Sequence, residues 1–237
     1  MRFALLTLAL ATLVHSDIAS ANNTGEPEVN YFSFFEGWPP RPGVLDETPR
    51  FLEDGQRMRC DPSGLVRYRG THLRFAGSVR AHPSFVARLK RFEVLVNDFA
   101  TRYYGRPPRR LIHRGAYSCR RARGRRARIS EHALGNALDL QGFDFGPLPR
   151  GETLPEGLPR RVRRSFSIRV LSHWGPRRRR DAVHARFFHE LTETLRTRPD
   201  IFRGIVGPPR PRHGNHLHLD ASPWRYAMFG YQRPESQ

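Results

Sequence analysis

Residues Ser130-Glu131-His132-Ala133-Leu134-Gly135-Asn136-Ala137-Leu138-Asp139 change pattern halfway along. On one continuous helix His132 and Asp139 would share a face but lie about 10 Å apart, at roughly 1.5 Å per residue. That separation does not suit bonds of about 2.0–2.2 Å to a single ion. Gly135, followed by a strand-like pattern from Ala137 to Phe145, predicts instead that the chain turns between the two residues. Asp139 then lies in an apolar strand, where an unpaired carboxylate is costly. Either a metal or one of the many arginines would relieve it.

Downstream, His213-Gly214-Asn215-His216-Leu217-His218 sets three imidazoles close together. A catalytic zinc site takes three ligands from His, Asp, Glu or Cys and keeps a fourth position open, so two His and one Asp meet the requirement. His216 to Asp220 reads as a final short strand, on which His216 and His218 point to one face because the side-chain period is two. One can ligate while the other reaches past the metal to a substrate.

The surrounding elements are mixed. Phe85, Leu89, Phe92, Val96, Phe99 and Tyr103 recur at steps of four and three, so Pro83 to Tyr103 reads as a helix with an apolar stripe, ended by Gly105 and Pro107-Pro108. Asp181 to Arg196 reads as a second helix, with Asp181 as N-cap and Phe188, Leu191 and Leu195 facing inward. Leu111-Ile112 starts a strand that runs into Tyr117-Ser118-Cys119-Arg120. Phe166, Ile168 and Val170 alternate with Ser165, Ser167 and Arg169 as a half-buried strand, and Pro147 to Pro159 reads as a loop. Without a repeating strand–helix rhythm, the fold class is α+β.

Composition bounds the rest. The chain has 41 Lys and Arg, 40 of them Arg, against 22 Asp and Glu, for a net charge of +19. At 38% hydrophobic it has material for a core, which excludes a wholly disordered basic tail. Residues 1–21 read as a signal peptide: Arg2, an apolar stretch from Phe3 to Val14, then Ala19-Ser20-Ala21 before Asn22. A short membrane anchor or a buried first helix is the alternative, but the stretch is short for a span and a polar segment follows it. Residues 22–50, with Tyr31, Phe32, Phe34, Phe35 and Trp38, lack helical or strand period and read as an extended arm. The domain would then be 51–230, with a tail at 231–237. Export allows Cys60 and Cys119 to pair, two buried thiols being the alternative.

The two histidine motifs and the Tyr117-Ser118-Cys119-Arg120 segment resemble the bacterial extensin-like C-terminal domain family, over roughly Gly43 to Phe229. That family is similar in turn to the LAS group of zinc D-alanyl-D-alanine carboxypeptidases and murein endopeptidases, which includes the hedgehog signalling domain. The resemblance implies a single domain with a small antiparallel sheet flanked by helices. It implies Zn2+ held by His132, Asp139 and His218, with His216 catalytic or stabilising the transition state and His213 supporting it. Arg120 falls where related carboxypeptidases hold the substrate's terminal carboxylate. Cys60 and Cys119 resemble family cysteines, which supports a disulfide. Related enzymes carry an acid shortly before the final His-x-His, whereas here 215 is Asn and 212 is Arg. Asn takes no proton from water, so His216 or Glu131 serves as base, or catalysis is weak or absent. Ser130 and Asp220 are candidates to orient the ligand imidazoles.

The expected function is therefore an exported, periplasmic or secreted zinc peptidase acting on peptidoglycan stem peptides, a monomer with no transmembrane span after processing. A zinc-bearing but non-hydrolytic wall-binding module is the alternative. Basic clusters at Arg120–Arg128, Arg160–Arg164 and Arg177–Arg180 would also suit phosphates. They lack interleaved aromatics for base stacking, so no specific nucleic acid is expected.

Overall fold

The computed structural model describes residues 29–36, 45, 48–53, 56–122, 128–176 and 178–232. The signal peptide, the tail from 233, much of the 22–50 arm, and Arg123, Arg125, Arg126 and Arg177 of the basic clusters lie outside the described residues.

Helix α1 (Pro83–Tyr104) starts where His82 Nδ1 accepts from Ser84 N, and it stops at Gly105, whose φ of 74° is the left-handed conformation a glycine C-cap supplies. Phe85, Leu89, Phe92 and Val96 are fully buried as the stripe requires. Beyond them the buried positions drift to Ala100 and Tyr104, while Phe99 and Tyr103 pack partly exposed. The 3.6-residue turn rotates away from a strict four-three repeat, so the stripe precesses by its last turn. Helix α3 (Ala182–Arg196) buries Phe187, Phe188, Leu191 and Leu195 against α1 and the sheet. Burying one such side chain contributes roughly 1.5–3 kcal/mol, so these two stripes carry much of the core. Asp181 precedes α3 but makes no side-chain cap bond; its carboxylate pairs with Arg161 at 3.3 Å instead. Between the helices' supports lies a buried carboxylate. Glu93 on α1 accepts from the backbone N–H groups of Thr71, His72 and Leu73 at 2.6–3.1 Å and from the Tyr68 hydroxyl.

The strands are β1 (Val29–Glu36), β2 (Val66–Tyr68), β3 (Val79–Ala81), β4 (Arg110–His113), β5 (Ala137–Phe145), β6 (Phe166–Arg169), β7 (Gly204–Val206), β8 (Leu217–Asp220) and β9 (Arg225–Gln232). β2 and β3 pair alone; the other seven form one sheet ordered β1-β9-β7-β8-β5-β4, with β6 also on β5. β7 and β9 run parallel and the remaining ladders are antiparallel. The molecule is thus α+β, with a larger sheet than expected. β5 is its hub: β4 takes one edge, while β8 pairs Ala137–Leu140 and β6 pairs Gly142–Phe145 along the other. A register shift leaves Gln141 unpaired by β4, since Ile112 faces Gly142 and His113 faces Leu140. This bulge resets the alternation, so Leu138 and Leu140 before it and Phe143 and Phe145 after it all reach the core.

Several boundaries differ from the sequence expectations. The strand at Leu111 stops at His113; the chain makes two more bonds along β5 (Arg114 N to Asp139 O, and Asp139 N to Gly115 O) and then leaves it. Val170 opens the one-turn helix α2 (Val170–His173) instead of closing a strand. His216 precedes β8, and β8 is followed by β9. Residues 29–36 of the arm run as strand β1 along β9. Cys60 and Cys119 form a disulfide with Cα atoms 5.9 Å apart. Among the described residues no helix is long and apolar enough to cross a membrane.

Candidate metal centre

A single row of the sheet register carries the centre. Asp139 on β5 faces His218 on β8, His218 faces Val206 on β7, and Val206 faces Met228 on β9. Directly paired residues present their side chains to one face, and this row lines a cleft of about 1160 Å³. His132 enters from a 3₁₀ turn, Glu131–Leu134, ended by Gly135 in the left-handed region (φ 62°). The positive φ favours glycine there, and a Cβ at 135 would also press on Leu65 Cδ2 at 2.7 Å and on His82 N at 3.0 Å. The turn expected from the sequence is therefore present, and it folds His132 back over Asp139.

Three atoms converge. His132 Nε2 lies 3.0 Å from Asp139 Oδ1 and 3.0 Å from His218 Nδ1, and His218 Nδ1 lies 3.2 Å from Asp139 Oδ1. The opposite ring nitrogens are engaged: His132 Nδ1 with Ala116 O at 3.0 Å, and His218 Nε2 with Asp220 Oδ2 at 2.9 Å. A carbonyl and an ionised carboxylate can only accept, so these contacts place the ring protons on the outside. With both rings neutral the inward atoms are all electron-pair donors, and they face one another only if positive charge, a proton on an imidazole or a metal ion, sits among them. Ligands of a tetrahedral ion with bonds of about 2.0–2.1 Å are about 3.3–3.4 Å apart, close to the observed triangle. Among the described residues the ion-pair partners of Asp139 are the imidazoles of His132, His216 and His218, not an arginine. Burial opposes charge on both sides of the triangle. Even so, bonds from His132 and His218 hold Asp139 well below the usual carboxylate range, and Asp139 with Asp220 holds His218 up at about 9.

Asp220 is fully buried and accepts from His218, from Ser222 N at 3.0 Å and from the Tyr226 hydroxyl. Asp220 faces Gly204, and Gly204 faces Tyr226, in the next register row. A Cβ on Gly204 would come within 2.2 Å of Asp220 Oδ1. The missing side chain is thus the space in which the carboxylate reaches His218. Asp220 bonds the His218 imidazole and the Ala116 carbonyl bonds that of His132, while Ser130 makes no bond to either ring among the described residues.

His216 Nε2 stands 3.5 Å from Asp139 Oδ1, while its Nδ1 bonds Asn215 Oδ1 at 2.8 Å. Arg114 Nη1 also reaches Asn215 Oδ1, at 3.4 Å, which fixes the amide with its oxygen towards the ring. His216 Nδ1 therefore donates, and Nε2 presents a lone pair to the cleft. Burial lowers the His216 pKa to about 4. Glu131 lines the same cleft, but Arg50 binds it at 2.8 Å and Asn136 Nδ2 at 2.6 Å, so its oxygens are committed. His213 packs 5.0 Å from the His216 ring, with Nδ1 on Pro211 O, and Arg120 lines the cleft.

A second group, His173, Asp181 and His184, also gathers its ligand atoms within 4.8 Å of one another. Asp181 already pairs with Arg161, and His184 Nδ1 with the Tyr104 hydroxyl, so the first group is the better cation site. Gly204, Tyr226, Ala116 and Asn136 have roles that no signal in the sequence announces. Their roles depend on which strand lies beside which, and no local pattern marks them.

Residues 46–153 match the model of a family described as extensin-like protein C-terminus. The match spans just under half of the chain, includes His132 and Asp139, and supports the extensin-like reading; His213 to Asp220 lie beyond it. Neither a curated protein nor a solved structure matches the chain.

Proposed function

We propose that this chain is an exported zinc-dependent peptidase that hydrolyses an amide in peptidoglycan stem peptides, like the LAS-type enzymes its motifs resemble. The observation that carries the reading is the inward triangle of electron-pair donors, with ring protons directed outward onto Ala116 and Asp220. His132, Asp139 and His218 would hold the ion. Zinc there supplies a Lewis acid that polarises a carbonyl and lowers the pKa of water towards about 7.

The remaining work falls to side chains of the cleft. His216 Nε2, with its lone pair inward, accepts a proton beside Asp139, and Asn215 keeps the ring in that tautomer. In this arrangement Asn215 orients the base and is not itself the base. A neutral His216 suits this role better than that of an imidazolium stabilising an oxyanion. Arg120 offers a planar fork to a terminal carboxylate, a geometry that favours bidentate binding. The net charge of +19 keeps the protein against an anionic envelope.

Metal analysis of the mature protein, alongside digestion of purified muropeptides read by mass spectrometry, tests the reading. His132→Ala and Asp139→Ala should each lose the metal and all hydrolysis. Loss of the metal with hydrolysis intact would overturn the mechanism. Stoichiometric zinc without hydrolysis would select the wall-binding module, which the Asn at 215 and the committed Glu131 favour.

A further inference from the structure

Arg128 lies in the cleft but is used by none of the steps above. Its guanidinium carbon sits 4.8 Å over the Trp224 ring, and Phe51 meets that ring edge-on at 6.0 Å. The backbone holds this group together, because Phe51 and Arg128 form an antiparallel bridge. Phe51 is 55% exposed although it is a large aromatic, so it contributes a wall of the cleft and not core. The Nε of Arg128 is buried and has no hydrogen-bond partner. A buried N–H without an acceptor costs about 1–3 kcal/mol and calls for an explanation.

Two other buried guanidiniums are bonded to oxygens. Arg50 has Glu131, and Arg106 has the carbonyls of Tyr104, Gly146, Val162 and Arg164. Arg106 also stands over an aromatic ring, that of Phe166 at 5.1 Å, but Arg128 differs in lining the open cleft. Stacking holds the guanidinium plane and lowers the local dielectric, which strengthens a charge-assisted bond to an incoming acceptor. Arg128 lines the same cleft as Tyr226, whose hydroxyl bonds Asp220 behind His218.

We propose that Arg128, stacked on Trp224 and walled by Phe51, is a second carboxylate subsite, separate from Arg120, that binds an acidic side chain of the peptide in the cleft. This rests on the peptide-cleft reading above but not on hydrolysis. The occupant is a carboxylate on an extended chain, since the cleft of about 1160 Å³ exceeds what a dipeptide fills and its cationic lining includes Arg114, Arg120 and Arg212.

The test uses zinc-loaded full-length mature protein and acetylated peptides ending in D-alanyl-D-alanine. These differ only in carrying Glu or Gln at one of the three positions before the terminal pair. Calorimetric binding should favour Glu over Gln by about 10- to 100-fold at one position, the worth of one charge-assisted hydrogen bond. Arg128→Met, which keeps an apolar stem on Trp224, should bring that ratio to about one, and Arg128→Lys should restore only part of it. Arg120→Met should leave the Glu-over-Gln ratio standing while weakening both peptides. A ratio near one in the unaltered protein at all three positions, or a ratio that survives Arg128→Met in a protein with an unchanged circular dichroism spectrum, overturns the subsite. Binding selectivity without cleavage would keep the subsite and refute the peptidase reading; cleavage without selectivity would do the reverse.

Discussion

At Gly204 the decisive feature is an absent side chain. Asp220 reaches His218 only because nothing occupies the space opposite it, where a Cβ would lie 2.2 Å from Oδ1. Gly204→Ala should therefore push the carboxylate off His218, freeing the ring to turn and its proton to move to Nδ1. Removing a partner that orients a ligand imidazole typically costs 10–100-fold in metal affinity. The expected result is a zinc dissociation constant raised by about that factor, and Asp220→Asn should act in the same direction. Competition with a chromogenic chelator measures both. An unchanged constant in both variants would remove Asp220 from the centre. The sequence motifs offer two His and one Asp for a metal, and the choice of His132, Asp139 and His218 among them comes from the family resemblance. Gly204 carries no such signal, because its neighbour across the sheet is set by strand order and not by nearby residues.

The elements show where local pattern suffices. α1, β5 and α3 match the sequence reading closely, because each has one apolar face and a start or stop residue such as Gly105. β9 has no alternation to mark it, since apolar residues occupy both parities of Tyr226-Ala227-Met228-Phe229-Gly230-Tyr231, as in a strand covered on both sides. β1 is hidden for a related reason: its ladder with β9 comes from backbone pairing, to which the run Tyr31-Phe32-Ser33-Phe34-Phe35 adds no alternation. The disulfide belongs to this scale as well. Cys60 and Cys119 close a loop with a sequence separation of 59, for which loop entropy gives on the order of 4 kcal/mol of stabilisation. It tethers the segment before β2 to the turn that supplies Ala116 and Arg120. The Cys60→Ser, Cys119→Ser pair should lower unfolding stability by up to about that amount in urea titrations. Reductant should have the same effect on the unaltered protein, and a midpoint indifferent to both would show the bond to be dispensable.

For the whole molecule, charge and pH are the accessible handles. His184 is 4% exposed, stacked on Phe166 and bonded to the Tyr104 hydroxyl. Burial, then the nearby charges of His173 and Arg161, lowers its pKa from 6.5 to about 4. Between these values the unfolded chain binds a proton that the folded one refuses. Its contribution to stability is therefore complete above about pH 6.5 and is lost as pH falls towards 4. His184→Phe should flatten the dependence of melting temperature on pH across that window, whatever it does to the baseline. Parallel slopes for the two proteins would refute the assignment.

The α+β class, the two helical stripes, the strand through Asp139 and the chemical types at the centre can all be read from local order. Periodicity, capping and the short menu of metal-binding side chains act over a few residues, and the sequence displays those distances directly. The seven-strand order, the bulge at Gln141, the space at Gly204 and the stacking of Arg128 on Trp224 depend on contacts between segments far apart in the chain. Such contacts are settled by which apolar faces bury one another, and that competition is resolved only when the whole core packs. The residue types able to make a metal site are thus visible in the sequence; the convergence of His132, Asp139 and His218 comes from the packing.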